Sequence, residues 1–218
     1  MTLKNLVCKI ILLLVLPFIS APTFGQGTTG KKFKALSSPE KTWVLLHPFV
    51  AKKALKLSEK ARAESKSRLS DSRLDGDDNG GQIDAFRHAY WMALLSQHMC
   101  WRKAKSLGIA HEKGNYKNWK KHKLEDKALP DSMASVMDLA NNSFGINFSK
   151  QIGSIEDDSL KERIVSAILE GKLFMLWKNE EGKFLDCNGF VPDDQPFINK
   201  WNKPRCLVPS DHSRKPIK

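Results

Sequence analysis

The chain has 218 residues, of which 41% are hydrophobic and 28% are charged, and this suits one domain of ordinary size with a substantial core. Beyond the N-terminal segment, no stretch is long and apolar enough to cross a bilayer, and no Cys-x-x-Cys pair is present. The sequence therefore excludes a multi-span membrane protein and argues against a cysteine-bound zinc ion.

The charge balance points toward anionic partners. Basic residues outnumber acidic residues by 36 to 24, and the net charge is +12. Such an excess favours binding to nucleic acid, phospholipid head groups or acidic wall polymers. The same charge can serve solubility alone, so both interpretations remain open.

The first 25 residues have the three-part layout of a secretory signal peptide. Lys4 and Lys9 precede an apolar run from Ile10 to Ile19, and small residues with a proline follow that run. The run is short for a membrane span, and a retained anchor is the alternative. We therefore expect a secreted or periplasmic protein whose net charge after cleavage is +10, because two lysines leave with the peptide.

The region after the signal peptide begins with a predicted flexible segment, residues 26–37, which is rich in glycine, lysine and threonine. Ser38, Pro39 and Glu40 then form a typical helix start. Pro48 should divide the helical region that follows into two helices. The stretch LSDSRLDGDDNGGQ is a loop by composition.

The next helix is predicted to run from about Ile83 to Leu107 and to end at Gly108, because glycine commonly ends a helix. The segment 111–130 is polar and basic, and we expect it to be a loop with one short helix.

Two more helices are predicted toward the C-terminus. Asp131 is a suitable N-cap for a helix that extends to about Asn142, with Gly145 as its terminator. The segment 154–177 shows the strongest amphipathic pattern of the chain. Its apolar stripe consists of Ile164, Val165, Ile168, Leu169 and Leu173.

These elements predict a mainly α protein with a single helical domain, residues 38–178, and an irregular C-terminal extension, residues 179–218. Cys187 and Cys206 flank a proline-rich part of that extension, and export permits a disulfide, so we expect these two cysteines to pair. Cys100, in the predicted long helix, would then be a buried free thiol.

The stretch DAFRHAYWMALL, residues 84–95, carries charged and polar side chains on a helix that is apolar on several sides. Asp84, His88 and Trp91 share one face at helical spacing. A buried charge needs a partner, and Asp84 can orient the imidazole of His88 or share a metal ion with it. The alternative is a structural Asp–His hydrogen bond that ties two helices together.

Two later stretches favour a shared site over an isolated pair. The stretch AHE, with His111 and Glu112, is expected just past the end of the predicted helix. In MDLANNSFG, Asp138, Asn141 and Asn142 have the spacing that places side chains on one side of a helix. Each of the three polar clusters lies among apolar neighbours, which indicates one site between helices.

These motifs together resemble an uncharacterised bacterial all-α domain that is also found at the C-termini of Rhs-type and other polymorphic toxins. The recurring pattern is Asp-Ala-Phe-Arg-His-Ala-x-Trp, then His-Glu, then Met-Asp-Leu-x-Asn-Asn-x-x-Gly. The match covers about residues 70–148, with a weaker part at Trp43, His47, Pro48 and Ala51. One departure is Ala140, where many relatives carry histidine.

The resemblance implies an all-α fold and a polar site, and it supplies no established reaction. The site residues that it implies are Asp84, Arg87, His88, His111, Glu112, Asp138, Asn141 and Asn142. A cognate immunity protein would belong to the same toxin context.

The side chains of this set are carboxylates, imidazoles and amides, which suit zinc, manganese, magnesium or calcium. We predict a toxin-like, metal-assisted hydrolase of a phosphate-bearing substrate, either nucleic acid or phospholipid. The predicted metal ligands are Asp84, His88, His111 and Asp138. The predicted catalytic residues are Arg87, His88, His111 and Glu112, and the predicted substrate-binding residues are Trp91, Asn141 and Asn142.

Two alternatives to this prediction remain open at this stage. A metal-free enzyme would use His88 or His111 as a general base, and it could act on a wall polymer or a lipid. A non-catalytic secreted binding protein would keep the polar cluster as an internal tie. A catalytic site predicts convergence of the polar groups around an accessible pocket, whereas a tie predicts paired groups without a cavity.

Two other segments allow a ligand. In the loop DGDDNGG the acidic positions fit the start of an EF-hand calcium loop, but Phe86 stands where the bidentate glutamate is required, so an acidic turn is the alternative. Its matching positions are Asp75, Asp77, Asn79 and Gly80. The basic run 117–123, which includes Trp119, could bind a polyanion or a membrane surface, or it could be a solvated loop.

Overall fold

The protein is described here by a computed structural model, which covers residues 28–124 and 128–212. Helices dominate these residues, and the mainly α prediction is confirmed. The helices are α1 Thr28–Ala35, α2 Ser38–Leu46, α3 Pro48–Ser67, α4 Gln82–His98, α5 Trp101–Lys120, α6 Ser132–Ile152 and α7 Asp157–Leu169. Within the described ranges no helix has the length and apolar character of a membrane span. The predicted signal peptide lies outside the described residues.

The helix starts follow local capping chemistry. Ser37 caps α2, its backbone N–H donates to Glu40 Oε2 at 2.8 Å, and the two residues form a capping box. Pro48 begins α3, as predicted. The segment that was expected to be flexible is instead helical over α1, and an ion pair of Lys32 with Glu59 links it to α3.

The predicted helix 83–107 is wrong at its C-terminal end. The helix is interrupted at Met99 and Cys100. A second helix, α5, then begins at Trp101 and passes through Gly108 as far as Lys120. A Cβ at Gly108 would lie 3.1 Å from Asn142 Nδ2, so this glycine marks a close helix crossing. The predicted loop after Gly108 is therefore helical in its first half, and the motif AHE lies inside α5.

The same correction applies to α6. Asp131 is its N-cap, as predicted, and accepts hydrogen bonds from the backbone N–H groups of Met133 and Ala134. The helix passes through Gly145 and ends at Ile152. A Cβ at Gly145 would collide with the carbonyl oxygen of Ala89, so glycine here lets α6 approach α4 closely.

Helix α4 lies at the centre of the fold and is buried on nearly all sides against α3, α6 and α7. Phe86 and Tyr90 on α4 pack in one cluster with Leu160 and Ile164 of α7. Leu169, predicted for the apolar stripe of α7, is exposed. Because α4 is surrounded by apolar neighbours, its polar residues are buried along with its apolar ones. The candidate site lies among these buried polar residues.

The C-terminal region corrects the end of the amphipathic prediction. Helix α7 ends at Leu169, and the chain then forms strand β1, Phe174–Leu176, which pairs antiparallel with β2, Leu207–Pro209. The predicted disulfide Cys187–Cys206 is confirmed, with a Cα–Cα distance of 4.8 Å. Cys100 is half-buried and disulfide-bonded, so the free-thiol prediction, which counted only the three cysteines after residue 25, is wrong.

Candidate metal centre

Two pairs of polar residues, one pair on each helix, face each other where α4 and α6 make close contact. Asp84 and His88 lie one turn apart on α4, and Asp138 and Asn142 lie one turn apart on α6. The contact of Gly145 with the α4 backbone brings the two helices close enough for these four side chains to meet. All four are buried.

His88 lies at the centre of this group. Its Nε2 atom is 3.4 Å from Asp84 Oδ1 and 3.3 Å from Asp138 Oδ1. One ligand atom from each of the three residues lies within 4.8 Å of the other two. We call Asp84, His88 and Asp138 the Asp–His–Asp centre.

The state of the imidazole follows from its other nitrogen. Nδ1 of His88 lies 3.3 Å from Asn142 Oδ1, and because a carbonyl oxygen only accepts, this contact favours the tautomer with the proton on Nδ1. Burial, the charge of Arg87 and the imidazole of His111 hold the pKa of His88 well below its ordinary value of 6.5, although the hydrogen bond to Asn142 raises it. In the tautomer that donates from Nδ1 to Asn142, the lone pair of Nε2 faces the two carboxylates.

Arg87 supplies positive charge beside the centre. Its Nη2 atom lies 2.6 Å from Asp84 Oδ1 and 3.3 Å from His88 Nε2. The other oxygen of Asp84 accepts a hydrogen bond from the backbone N–H of Gly80 at 2.7 Å. These contacts fix the orientation of the Asp84 carboxylate, with Oδ1 turned toward His88.

Two cavities reach the centre from different sides. The first, here called the polar cavity, has a volume of about 140 Å³ and contains the carboxylates of Asp84 and Asp138 in its wall. The second, here called the apolar groove, has a volume of about 220 Å³ and reaches His88 between α2, α3, α4 and α5. Arg87 lines both cavities. The centre is therefore buried without being sealed.

His111 lies near the Asp–His–Asp centre but outside it. Its ring centroid is 6.4 Å from that of His88, and its Nδ1 atom is 3.0 Å from Glu40 Oε1. Trp91 stands edge-on to His111, with ring centroids 5.5 Å apart, and both line the apolar groove. Trp91 also donates a hydrogen bond from Nε1 to Ser58 Oγ at 2.8 Å.

Glu40 is the site residue that sequence reasoning missed, because its pattern indicated only a helix start. Burial raises its pKa, but the hydrogen bonds to His111 and Ser37 outweigh this and lower the pKa below the ordinary 4.5. Glu40 therefore stays ionised at the edge of the apolar groove, where it orients His111. Its distance of 71 residues from His111 leaves no local sequence signal.

Two predicted site residues take other positions. Glu112 is buried on α5, accepts a hydrogen bond from Asn115 Nδ2 at 3.3 Å, and lines neither of the two cavities. Asn141 exchanges two hydrogen bonds of 2.9 Å with the backbone of Phe174, and this ties α6 to β1. The structure therefore places Asn141 in a structural contact and Asn142 in contact with His88.

The two other candidate segments also have internal partners. In the acidic loop, Lys178 Nζ lies 2.6 Å from Asp77 Oδ2 and 2.6 Å from the carbonyl oxygen of Asn79, so an ammonium group takes the position of a cation. In the basic run, Trp119 packs with Tyr116 and with Trp201 of the C-terminal extension. Those aromatic rings join two parts of the protein.

The fold and the site together define the class of this protein. It is a mainly α domain with a buried Asp–His–Asp centre between two crossing helices. The chain belongs to the family described as a domain of unknown function, DUF6973, whose model matches residues 41–172. The match includes every residue of the centre and excludes the disulfide-linked part of the extension. No curated protein and no solved structure matches the chain.

Proposed function

We propose that this protein is an exported hydrolase in which Asp84, His88 and Asp138 hold a divalent metal ion that activates water for attack on a phosphodiester. The observation that carries the proposal is the convergence of two carboxylate oxygens and one neutral imidazole nitrogen at the boundary of two cavities. Three electron-pair donors that face one another in a buried place favour a cation between them.

Two of the three distances between the donor atoms fit a small metal ion. Ligands about 2.0–2.2 Å from a tetrahedral ion lie about 3.3–3.6 Å from one another. The distances from His88 Nε2 to the two aspartate oxygens are 3.4 and 3.3 Å. Two carboxylates and one histidine suit zinc or manganese, and three protein ligands leave a coordination position for water.

The surroundings of the centre suit a phosphate group. Arg87 contributes charge to the cluster through Asp84, and a metal ion would take over that role and leave the guanidinium to bind phosphate. Lys203 and Arg205 also line the polar cavity, where Arg205 pairs with Asp131 and Asp78 lies in the same wall. Nε2 of His88 lies within 3.4 Å of both aspartate oxygens, a position that suits a metal ligand more than a general base.

The alternative, a non-catalytic protein with an internal polar tie, predicts that the polar groups pair off without a cavity. Both carboxylates of the centre line the polar cavity, and His88 lines the apolar groove, which supports the catalytic proposal instead. The toxin context and an immunity protein depend on the sequence resemblance alone and remain predictions.

Metal binding by the purified protein tests the centre directly. We expect stoichiometric zinc or manganese by elemental analysis and a higher melting temperature when either ion is added back after chelation. Asp84→Asn and Asp138→Asn should each weaken metal binding at least about 100-fold, since each removes a direct ligand. Asp158→Asn is the matched control, because Asp158 is exposed and lies on α7.

Phosphodiester hydrolysis is then measured on the same preparations with an activated diester, a phospholipid and a nucleic acid. Activity that returns with the metal and is lost in both ligand variants supports the proposal. Absence of bound metal, together with no thermal shift on adding zinc, manganese, magnesium or calcium, would remove it.

A further inference from the structure

The turn between α2 and α3 presents large apolar side chains to solvent. Leu45 is 56% exposed, Leu46 is 72% exposed and Phe49 is 100% exposed. Isolated exposed apolar residues are ordinary, but three within five consecutive positions form a patch that calls for a partner. We call these three residues the apolar tip.

The apolar tip is held by packed neighbours. Trp43, just before it, is buried and donates from Nε1 to Ser106 Oγ at 2.8 Å. His47 lies inside the turn, stacks on Trp43, and its Nδ1 is 2.9 Å from the Trp43 carbonyl oxygen. Pro48 restricts the backbone at the same point. The exposure of the tip is therefore a property of the folded turn.

The sequence between Glu40 and Glu59, which contains the apolar tip, carries charge of one sign. The segment 41–58 contains four lysines and no aspartate or glutamate. Lys52, Lys53 and Lys56, which follow the tip on α3, are exposed, and none forms an ion pair with a residue in the described part of the chain. Bulky apolar groups beside unpaired lysines are the pattern of a segment that lies in a membrane interface.

We propose that the apolar tip and the three lysines form a docking surface for an anionic phospholipid bilayer. Phe49, Leu45 and Leu46 enter the boundary between head groups and acyl chains, while the ammonium groups of α3 bind lipid phosphates. A second copy of the chain fits this surface poorly, since a symmetric contact would bring two sets of lysines together. A nucleic acid would not bury the exposed phenylalanine and leucines.

The position of the docking surface also indicates a substrate class. Helices α2 and α3, which the tip connects, contribute Val44, Ala51 and Leu55 to the wall of the apolar groove, and that groove reaches His88. A phospholipid drawn from the bilayer could place its acyl chain in the groove and its phosphate near Arg87. This part of the inference rests on the proposed function, whereas the docking surface does not.

Vesicle binding tests the docking surface. The purified protein and variants with the same N-terminus are mixed with phosphatidylcholine vesicles that contain or lack phosphatidylglycerol, and the bound fraction is measured by co-sedimentation. Phe49→Asp should lower partitioning about tenfold or more, and Lys52→Glu with Lys53→Glu should lower it by a similar factor only on anionic vesicles. Phe190→Asp, at an exposed phenylalanine in the C-terminal extension, should leave binding unchanged.

Several outcomes would overturn the docking surface. Binding that Phe49→Asp leaves unchanged, or equal losses in Phe49→Asp and Phe190→Asp, would contradict it. A dimer in solution that Phe49→Asp converts to a monomer would assign the tip to a second copy. Asp84→Asn separates the two proposals: it should keep full vesicle binding if the docking surface is correct, whether or not the metal centre is.

Discussion

Two acidic clusters, the loop with Asp75 and Asp77 and the centre with Asp84 and Asp138, differ in the partners of their carboxylates. In the loop, Asp75 accepts backbone N–H groups of Asp77 and Gln82, and Asp77 accepts that of Asn79 and the ammonium of Lys178. In the centre, Asp84 and Asp138 instead face an imidazole nitrogen and the polar cavity. Lys178 supplies the positive group of the loop and Arg87 that of the centre, but the centre also brings an imidazole nitrogen within 3.4 Å of both of its carboxylates.

The difference shows that acidic composition does not identify a metal site. The loop has more aspartates in sequence, yet its partners make it a structural turn that positions Gly80, whose N–H then orients Asp84. The centre takes its second carboxylate from another helix, 54 residues along the chain from Asp84, and its ligand character depends on helix packing. The predictions below test whether the loop serves stability and the centre serves the chemical reaction.

The largest expected effect is a loss of hydrolysis on substitution in the centre but not in the loop. His88→Asn should lower the rate of phosphodiester hydrolysis by about 100-fold or more, because a metal ligand is lost while a polar side chain remains. Asp77→Asn should keep the hydrolysis rate and lower the melting temperature. Steady-state kinetics and thermal unfolding of both variants check this, and an Asp77→Asn protein without activity would contradict the separation.

The next effect concerns the buried lysine of the loop. Lys178→Met should lower the free energy of unfolding by about 3 kcal/mol, since it leaves the Asp77 carboxylate without its buried ammonium partner. Lys172→Met is the control: Lys172 pairs with Glu170 at the surface, and its loss should cost about 0–1 kcal/mol. Equal values from urea unfolding of the two variants would show that the loop pair is an ordinary surface contact.

The smallest effect is a pH dependence away from both clusters. Burial raises the pKa of Asp157, but hydrogen bonds from Lys60 and from the Tyr90 hydroxyl, at 2.6 Å, lower it below its ordinary 3.8. Its contribution to stability is complete above pH 3.8 and is lost as the pH falls through the lower, folded-state pKa.

Tyr90→Phe removes one of the groups that lower this pKa, so the loss of stability of the variant on acidification should be smaller than that of the parent protein. Melting temperatures between pH 6 and pH 3 measure the difference, and Tyr116→Phe, at an exposed tyrosine, is the control. Parallel melting curves for parent and Tyr90→Phe would contradict the assignment.

The sequence by itself determined the features that depend on neighbours along the chain. The capping box at Ser37, the break at Pro48 and the N-cap at Asp131 involve groups within four residues of one another. The helical spacing of the apolar residues of α7 also indicated the mainly α class. The disulfide was predictable because Cys187 and Cys206 flank a proline-rich segment without a regular helix or strand pattern.

The tertiary structure decided what each polar residue does, because its partners come from distant parts of the chain. Gly108 and Gly145 look like helix ends in sequence, but they permit close helix contacts that only packing reveals. Asn141 and Asn142 are neighbours, yet one binds the backbone of β1 and the other binds His88. Local propensity fixes where a helix begins, and the approach of two helices fixes which donors meet.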